Sequence, residues 1–343
     1  MTTLFSRAPV LLAAAALGAG LQAALPRQTL ESVAALRPHI VGTFTRPAGF
    51  ARTAGGDYLV FDRGGHSVHR VDAAMRGVER LVAIGHEAGK VIQPVAFAAA
   101  PDGSFVIADA PHGRRRIQVF TSGGLRLRGF YLAGRFEALV SLNGIPLNGV
   151  ASVQYDGESI FLNLPETGSL IVEYSIDGTL RRTIGTVRRT GHEADPDVHA
   201  ALNTGIPLVH PRGGFVFVFQ TGEPGFRRYA ADGSLRYERA IQGRELDALI
   251  GAQPARWPPR TTGDRELPLV PPLVRTAAID ATGQLWVALV PPVTYVFDAD
   301  GDKLRVVQFR AAGLLSPTSL SFAPAGQLLV TPGCYVFDPG AHD

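Results

Sequence analysis

Residues 94–131 read PVAFAAAPDGSFVIADAPHGRRRIQVFTSGGLRLRGFY, and this stretch divides into four short apolar runs separated by turn residues. The runs are VAFAAA, SFVIAD, RIQVFT and LRLRGFY, and the turns include Pro101-Asp102-Gly103 and Ser122-Gly123-Gly124. Runs of about four to eight residues that are rich in Val, Ile and Phe and bounded by Gly, Asp or Pro are typical of β-strands. The stretch therefore predicts one small sheet of four antiparallel strands.

The same unit recurs along the chain. Five further copies lie at 56–77, 157–178, 213–233, 283–301 and 326–340. A sheet this small cannot bury both of its apolar faces alone, and stacking such sheets around an axis solves the problem. The repeats therefore predict an all-β protein, a six-bladed β-propeller.

The two ends of the chain predict how the ring closes. The last copy ends before a fourth strand, whereas 38–45 (PHIVGTFT) looks like a fourth strand without its first three. Pairing this N-terminal strand with the last blade would remove the exposed edges of an open ring. We expect one propeller domain over 38–343, preceded by a segment, 24–37, that is compatible with a short helix.

Residues 1–23 have the layout of a secretory signal peptide. One positive charge, Arg7, precedes an apolar run over 8–21, and small residues follow at a plausible cleavage site near Ala23 or Ala24. The run is short for a membrane-spanning helix, and no later segment is apolar for long enough to span a bilayer. The sequence thus predicts an exported protein, periplasmic or secreted.

Charge and cysteine content exclude several classes of function and site. The chain has 343 residues and a net charge of +3, which is too weakly basic to imply nucleic acid. Cys334 is the only cysteine, so an intramolecular disulfide and a cysteine-based metal site are both excluded. Cys334 lies in an apolar run and is predicted to be buried and structural.

The repeat over 94–124 resembles the NHL repeat, in which Pro opens the unit, Asp closes the second apolar run and Arg opens the third. The likeness extends to LVFDRGGHSVHRVD in the first copy and weakens in later copies, where Asn163, Gln220, Leu289 and Thr331 occupy the aspartate position. The resemblance implies a propeller. It does not imply one function, because NHL propellers include binding scaffolds, lyases and lactonase-like relatives.

In such a fold, the loops between second and third strands and the links between blades share one face. These segments are long and unlike one another, which is typical of a binding face. Several arginine doublets and one triplet could bind carboxylates or an anionic glycan, and Trp257 lies in a Pro-rich link over 243–272. The candidate ligand-binding residues are Asp62, Arg63, His66, Asp109, His112, Arg114, Asn163, Gln220, Trp257 and Arg260.

The link over 190–203 (TGHEADPDVHAALN) concentrates acids and histidines. Its candidate metal ligands are His192, Glu193, Asp195, Asp197 and His199. Mixed N and O donors suit Zn²⁺, Mn²⁺ or Ca²⁺, but the spacing matches no known ligand pattern. The favoured alternative is a short helix capped by Asp195 or Asp197, with Pro196 at its first position and Asn203 and Gly205 at its end.

These patterns favour an exported, non-catalytic binding or scaffold module that uses its long-loop face. Its predicted partner is an envelope or extracellular protein, a peptide or a glycan, with no nucleic acid and a monomeric chain. No cofactor is assigned beyond the candidate divalent metal, and no catalytic residue is assigned. The alternative is a metal-dependent enzyme of the lyase or lactonase type with its site at the channel mouth.

Overall fold

The computed structural model describes residues 25–142, 145–146, 152–262 and 265–340. Within these ranges the protein is nearly all β, with three short α-helices. The predicted signal peptide, 1–23, lies outside the described residues. No helix in the described ranges is long and apolar enough to cross a membrane.

The repeats form small antiparallel sheets in chain order. Sheet 1 contains β2 Pro47–Arg52, β3 Tyr58–Asp62, β4 Ser67–Val71 and β5 Val78–Val82. Sheet 2 contains β6 Ala96–Ala99, β7 Phe105–Asp109, β8 Arg114–Phe120 and β9 Arg126–Arg135. Sheet 3 contains β12 Val153–Tyr155, β13 Ser159–Leu162, β14 Ser169–Ser175 and β15 Leu180–Thr186. Sheet 4 contains β16 Gly205–Val209, β17 Phe215–Phe219, β18 Gly225–Tyr229 and β19 Leu235–Ala240.

The last repeats form sheet 5 and sheet 6. Sheet 5 contains β22 Val274–Ile279, β23 Leu285–Leu289, β24 Thr294–Phe297 and β25 Lys303–Arg310. Sheet 6 contains β26 Ser319–Phe322, β27 Leu328–Thr331 and β28 Tyr335–Phe337. The four runs predicted in residues 94–131 correspond to β6 to β9, and the strand order is that of propeller blades.

Burial explains why the sheets stack. Every residue of the second strand is buried in each of the six sheets, for example in β7 and β17. The outermost strands are largely exposed, as β19 is. Apolar clusters join each sheet to the next, and one cluster joins the first and last sheets, since Phe50 and Tyr58 pack with Leu329 and Val336.

The N-terminal segment differs from the sequence-based prediction. Residues Arg27–Ala35 form strand β1, where a short helix was expected over 24–37. β1 pairs in parallel with β25 and then antiparallel with β28, so it bridges sheets 5 and 6. A short-range propensity cannot anticipate this, because both partners that satisfy the β1 backbone lie far away in sequence.

The strand predicted over 38–45 is wrong. Residues Pro38–Val41 form helix α1, with Pro38 at its first position and backbone bonds from Val41 N to Arg37 O (3.0 Å) and from Gly42 N to Pro38 O (2.8 Å). Proline at the first helical position has φ already set for a helix. The turn buries Ile40 and Phe44 together against sheets 1 and 6, which outweighs the β preference of Ile and Val.

The links between sheets carry the remaining elements. Hairpin β10 Ser141–Leu142 and β11 Ile145–Pro146 lies in the link from sheet 2 to sheet 3. Helix α2 spans Pro196–Leu202 in the next link. The link from sheet 4 to sheet 5 contains helix α3 Arg244–Gly251 and hairpin β20 Pro259–Thr262 and β21 Arg265–Pro268.

A buried ion pair fixes sheet 2 to the segment that enters it. The Arg116 guanidinium donates to both carboxylate oxygens of Asp109 and to the carbonyl of Lys90, and the Asp109 carboxylate accepts from Ile92 N at 3.0 Å. Asp109 is fully buried and Arg116 is 4% exposed. Removing one partner would therefore leave an uncompensated charge in the interior.

We expect Asp109→Ala to lower the free energy of unfolding by about 3–5 kcal/mol, measured by urea denaturation. Glu79→Ala is the matched control, because the Arg70–Glu79 pair is exposed on both sides and is worth about 1 kcal/mol or less. Equal losses in the two variants would contradict a structural role for the Asp109–Arg116 pair.

Candidate functional site

A cavity of about 510 Å³ lies where the innermost strands of the sheets converge. All six first strands, β2, β6, β12, β16, β22 and β26, contribute to its wall. Apolar residues predominate among those that line the cavity, and many of them are small, as with Ala48, Ala98 and Ala277. Pro146 of hairpin β10–β11 also lines the cavity.

The charged side chains of the cavity wall are three arginines and one aspartate within the described residues: Arg52, Arg63, Arg275 and Asp156. Two of the four are held by local partners. Arg52 donates to Gln327 Oε1 at 2.7 Å, and the Asp156 carboxylate accepts from the backbone N–H groups of Glu158 (2.9 Å) and Ser159 (2.8 Å). Arg63 and Arg275 are the remaining charges.

Arg63 and Arg275 form no ion pair with any residue that the structure describes. Nη1 of Arg63 and Nε of Arg275 are buried and have no hydrogen-bond partner among the residues that the structure describes. Burial lowers the pKa of Arg63 to about 10, and the neighbouring Arg46 adds to this effect. Burial also lowers the pKa of Arg275. Both groups remain charged near neutral pH and are available to an anion.

The fold positions both arginines through their backbones. Arg63 directly follows β3, and its N–H donates to Arg46 O at 3.0 Å, while Asp62 accepts from the N–H of Arg46 at 2.7 Å. Arg275 lies in β22, where its carbonyl accepts from Nε2 of Gln220 at 3.1 Å. Gln220 is therefore a positioning residue for the start of β22.

Hydroxyl groups complete the polar part of the wall. Oγ1 of Thr331 contacts Oγ1 of Thr318 at 2.9 Å and Oγ of Ser319 at 2.6 Å. Across the cavity, Oγ of Ser152 donates to Oε1 of Gln220 at 3.4 Å. These hydroxyls have no imidazole or carboxylate beside them in the described part of the wall, so they are binding groups rather than activated nucleophiles.

The predicted capped helix in the link over 190–203 is confirmed. Asp195 is the N-cap of α2 and accepts from Val198 N at 3.1 Å, with Pro196 at the first position and Asn203 at the C-cap. Glu193 accepts from Thr190 N at 2.8 Å, and Nδ1 of His199 contacts Oγ1 of Thr190 at 2.8 Å.

The candidate metal ligands thus act in local turns. Glu193 and Asp195 are bonded to backbone groups, His199 to a threonine, and Asp197 belongs to the first turn of α2 with a partner of its own. No group of three or more His, Cys, Asp or Glu that could hold a metal ion occurs in the described ranges, His192 included. The axial cavity does not suit a divalent cation either, because its arginines outnumber its single carboxylate.

Four predicted binding residues are buried structural links. Asp62, Asp109, Asn163 and Gln220 are at most 2% exposed. Each ends a second strand or directly follows one and bonds the backbone that leads into a first strand, as Asn163 Oδ1 does by accepting from Gly205 N at 3.0 Å. The aspartate position of the repeat therefore holds entering strands in place. Gln220 also reaches the cavity wall.

The other predicted binding residues, Arg63 apart, lie outside the cavity wall. His112 stacks on His86 with ring centroids 4.3 Å apart, and the Arg114 guanidinium lies 4.2 Å from the Tyr131 ring centroid. His66 has a buried Nδ1 without a described partner.

Trp257 packs against an apolar cluster that includes Val198 and Leu202. Arg260 donates to Ser141 Oγ at 2.9 Å and so joins the two link hairpins.

Sequence reasoning missed Arg275, Thr318 and Ser319. A signal was present for Arg275, since it is the one charged residue of VRTAAI, an innermost strand whose other residues are Thr, Ala, Val and Ile. The hydroxyls of Thr318 and Ser319 resemble the other small inner residues, so nothing in their pattern marks them. Cys334 is buried as predicted, and burial raises the pKa of its thiol to about 12.

Comparison with known proteins identifies the fold. A gluconolactonase from Xanthomonas campestris aligns with a TM-score of 0.51 at 17% identity, covering 86% of this chain and 85% of that one. Virginiamycin B lyase from Staphylococcus aureus aligns with a TM-score of 0.50 at 9% identity, covering 84% and 78%. A calcium-binding regucalcin from Agrobacterium tumefaciens aligns with a TM-score of 0.49 at 13% identity, covering 91% and 95%.

No protein-family profile matches the chain, and no curated protein matches its sequence. The structural similarities show a propeller-type fold shared with lactonase and lyase structures. The prediction of a non-catalytic binding or scaffold module is wrong in the light of this comparison, because the structures that align with TM-scores of 0.50 or above are a gluconolactonase and virginiamycin B lyase. The sequence-based preference for a binding module rested on the long-loop face and gave no weight to cationic groups near the axis.

Replacing Arg63 or Arg275 should affect the free energy of unfolding differently from replacing a hydrogen-bonded arginine. We expect Arg275→Met and Arg63→Met to leave the free energy of unfolding unchanged or to raise it by about 0.5–2 kcal/mol, because each removes a half-buried charge with a buried nitrogen that has no described partner. Arg188→Met is the control. Its guanidinium donates to the carbonyls of Glu223, Leu202 and Thr221, so its loss should cost about 1–3 kcal/mol.

Thermal or urea unfolding of the three variants checks this pattern. A loss of stability in Arg63→Met and Arg275→Met as large as that in Arg188→Met would show that both cavity arginines are structural.

The capped helix makes a separate prediction for Asp195. Asp195→Ala should lower the free energy of unfolding by about 1 kcal/mol, whereas Asp195→Asn should preserve it, because asparagine caps helices as well as aspartate does. Urea denaturation of both variants, with elemental mass spectrometry of the wild type, provides the measurement. Stoichiometric metal that disappears in both variants would instead identify this link as a metal site.

Proposed function

We propose that the protein is an enzyme of the lyase or lactonase type with its active site in the axial cavity. The observation that carries this proposal is the pair of half-buried guanidinium groups, Arg63 and Arg275, in the wall of that cavity, each with one buried nitrogen that has no partner among the described residues. Natural proteins retain such uncompensated charges mainly where function needs them. A concave site whose lining combines apolar residues with convergent polar groups is typical of a small-molecule site.

The proposed chemistry is ring opening of a cyclic ester. A water oxygen bonds to the acyl carbon, the carbonyl oxygen gains the negative charge, the ring C–O bond breaks, and a proton from the water ends on the released alkoxide oxygen. The product is a hydroxy acid, ionised at neutral pH. Guanidinium groups that face the acyl oxygen stabilise this developing charge more strongly than the neutral ester, which accelerates the reaction.

A lyase-type elimination would use the same groups. Removal of a proton next to an acyl group also places negative charge on the acyl oxygen, where Arg63 and Arg275 would stabilise it. The hydroxyls of Thr318 and Ser319 and the amide of Gln220 would orient the substrate, since each is a hydrogen-bonding group of the wall. Both reactions therefore depend on the same cationic side of the cavity.

The finer architecture and location are part of the same proposal. Six sheets, an apolar cluster between first and last sheets, and the pairing of β1 with β28 support a six-bladed ring closed by the N-terminal strand. The repeat pattern supports membership of the NHL group. The layout of residues 1–23 supports export to the periplasm or beyond the cell.

We expect the protein to turn over at least one member of a panel of small lactones and cyclic esters. Ring opening is measured as acid release in a pH-stat, and elimination is measured as the absorbance of new conjugated double bonds. Arg63→Met and Arg275→Met should each lower kcat/KM by about 10²–10³-fold. Arg236→Met is the matched control, because Arg236 is exposed on β19 and should change kcat/KM less than about twofold. Turnover that persists unchanged in both cavity variants would place the active site elsewhere.

A further inference from the structure

The axial cavity contains more positive charge than one reacting acyl oxygen would balance. Arg52 and Asp156 offset each other in charge and have their own partners. Arg63 and Arg275 then leave two uncompensated positive charges in one wall. A lactone in the process of opening develops only one negative charge, so the second guanidinium has no counterpart in the reaction itself.

Other buried and half-buried arginines show how this fold holds a structural arginine. Arg116 donates to a carboxylate and to several carbonyls, Arg188 donates to three carbonyls, and Arg228 donates to the carbonyls of Phe215 and Gly213. Arg305 also has an unpaired buried Nε, but its guanidinium lies over the Trp286 ring and near Asp280. Arg63 and Arg275 have no comparable compensation in the described ranges.

The two arginines flank a group of hydroxyls. Arg63 belongs to sheet 1 and Arg275 to sheet 5, and sheet 6 packs between these two sheets. The first strand of sheet 6 begins at Ser319 and is directly preceded by Thr318, and the hydroxyls of both residues contact Oγ1 of Thr331. Thr318 and Ser319 line the cavity, whereas Thr331 is fully buried. When Thr331 donates to one of the two cavity hydroxyls, that hydroxyl keeps its own hydrogen for a ligand acceptor. This side of the cavity therefore has cationic and hydroxyl donors.

We infer that the ligand of the axial cavity is a small dicarboxylate, with one carboxylate facing each unpaired guanidinium. Guanidinium and carboxylate match in charge and in bidentate geometry, which makes Arg the residue type suited to this group. The inference rests on the proposed function for its chemical setting: the substrate would be a lactone that carries one carboxylate. Addition of water across its acyl C–O bond and loss of one proton give a hydroxydicarboxylate with two negative charges.

A matched series of six-carbon probes tests the charge requirement. D-Glucitol, D-gluconate and D-glucarate have the same chain length and carry zero, one and two carboxylates. Isothermal titration calorimetry of the purified protein should give an affinity that rises about tenfold or more with each carboxylate. Arg63→Met and Arg275→Met should each reduce glucarate affinity to about that of gluconate for the wild type. Arg236→Met should bind all three probes as the wild type does.

Sulfate provides the control for general attraction of anions. It is a dianion without two separate carboxylates, so it should compete poorly with glucarate at equal ionic strength. Equal affinities for glucarate and gluconate, unchanged affinity in the arginine variants, or sulfate that binds as tightly as glucarate would each overturn the inference. Because binding is measured without turnover, an inactive protein that binds glucarate tightly would reject the proposed reaction and retain the dicarboxylate site.

Discussion

Burial of both faces of each sheet is the constraint on which the rest of this structure depends. The second strands have no exposed residue, so each four-stranded unit must be covered on two sides. Only a neighbouring sheet offers a flat apolar surface of matching size. Once sheets cover one another in this way, their first strands converge and their links and outer strands face solvent. The axial cavity is a consequence of that convergence.

The two ends of the series meet near β1, which pairs with strands of both sheet 5 and sheet 6. An uncovered first or last sheet would expose apolar residues and unpaired strand edges. β1 uses its first half to pair with β25 and its second half to pair with β28. Helix α1 then places Ile40 and Phe44 beside Leu329 and Val336, which brings sheets 1 and 6 together. The side of the cavity that holds Arg63, Thr318 and Arg275 is assembled by this junction.

The cavity wall contains two uncompensated positive charges, whereas most buried polar groups in the described residues are paired. Examples are Asp109 with Arg116, Glu173 with Arg182, and Asn163 with backbone groups. Such pairs stabilise the interior or at least avoid the cost of an unpaired charge. Arg63 and Arg275 depart from this rule, and a departure that costs stability is the kind of feature that functional sites show. Electrostatics therefore identify the site more clearly than any sequence motif does.

The sequence alone determined the sheets. Runs such as SFVIAD and turns such as Pro101-Asp102-Gly103 are local signals, and the capped turn at Asp195 and Pro196 is equally local, so these elements were predictable from neighbouring residues. Tertiary structure alone decided that β1 is a strand, because its partners are about 275–310 residues away along the chain. It also decided which side chains share the cavity. Arg63 and Arg275 are distant in sequence, and only the order of sheets around the axis brings them to the same wall.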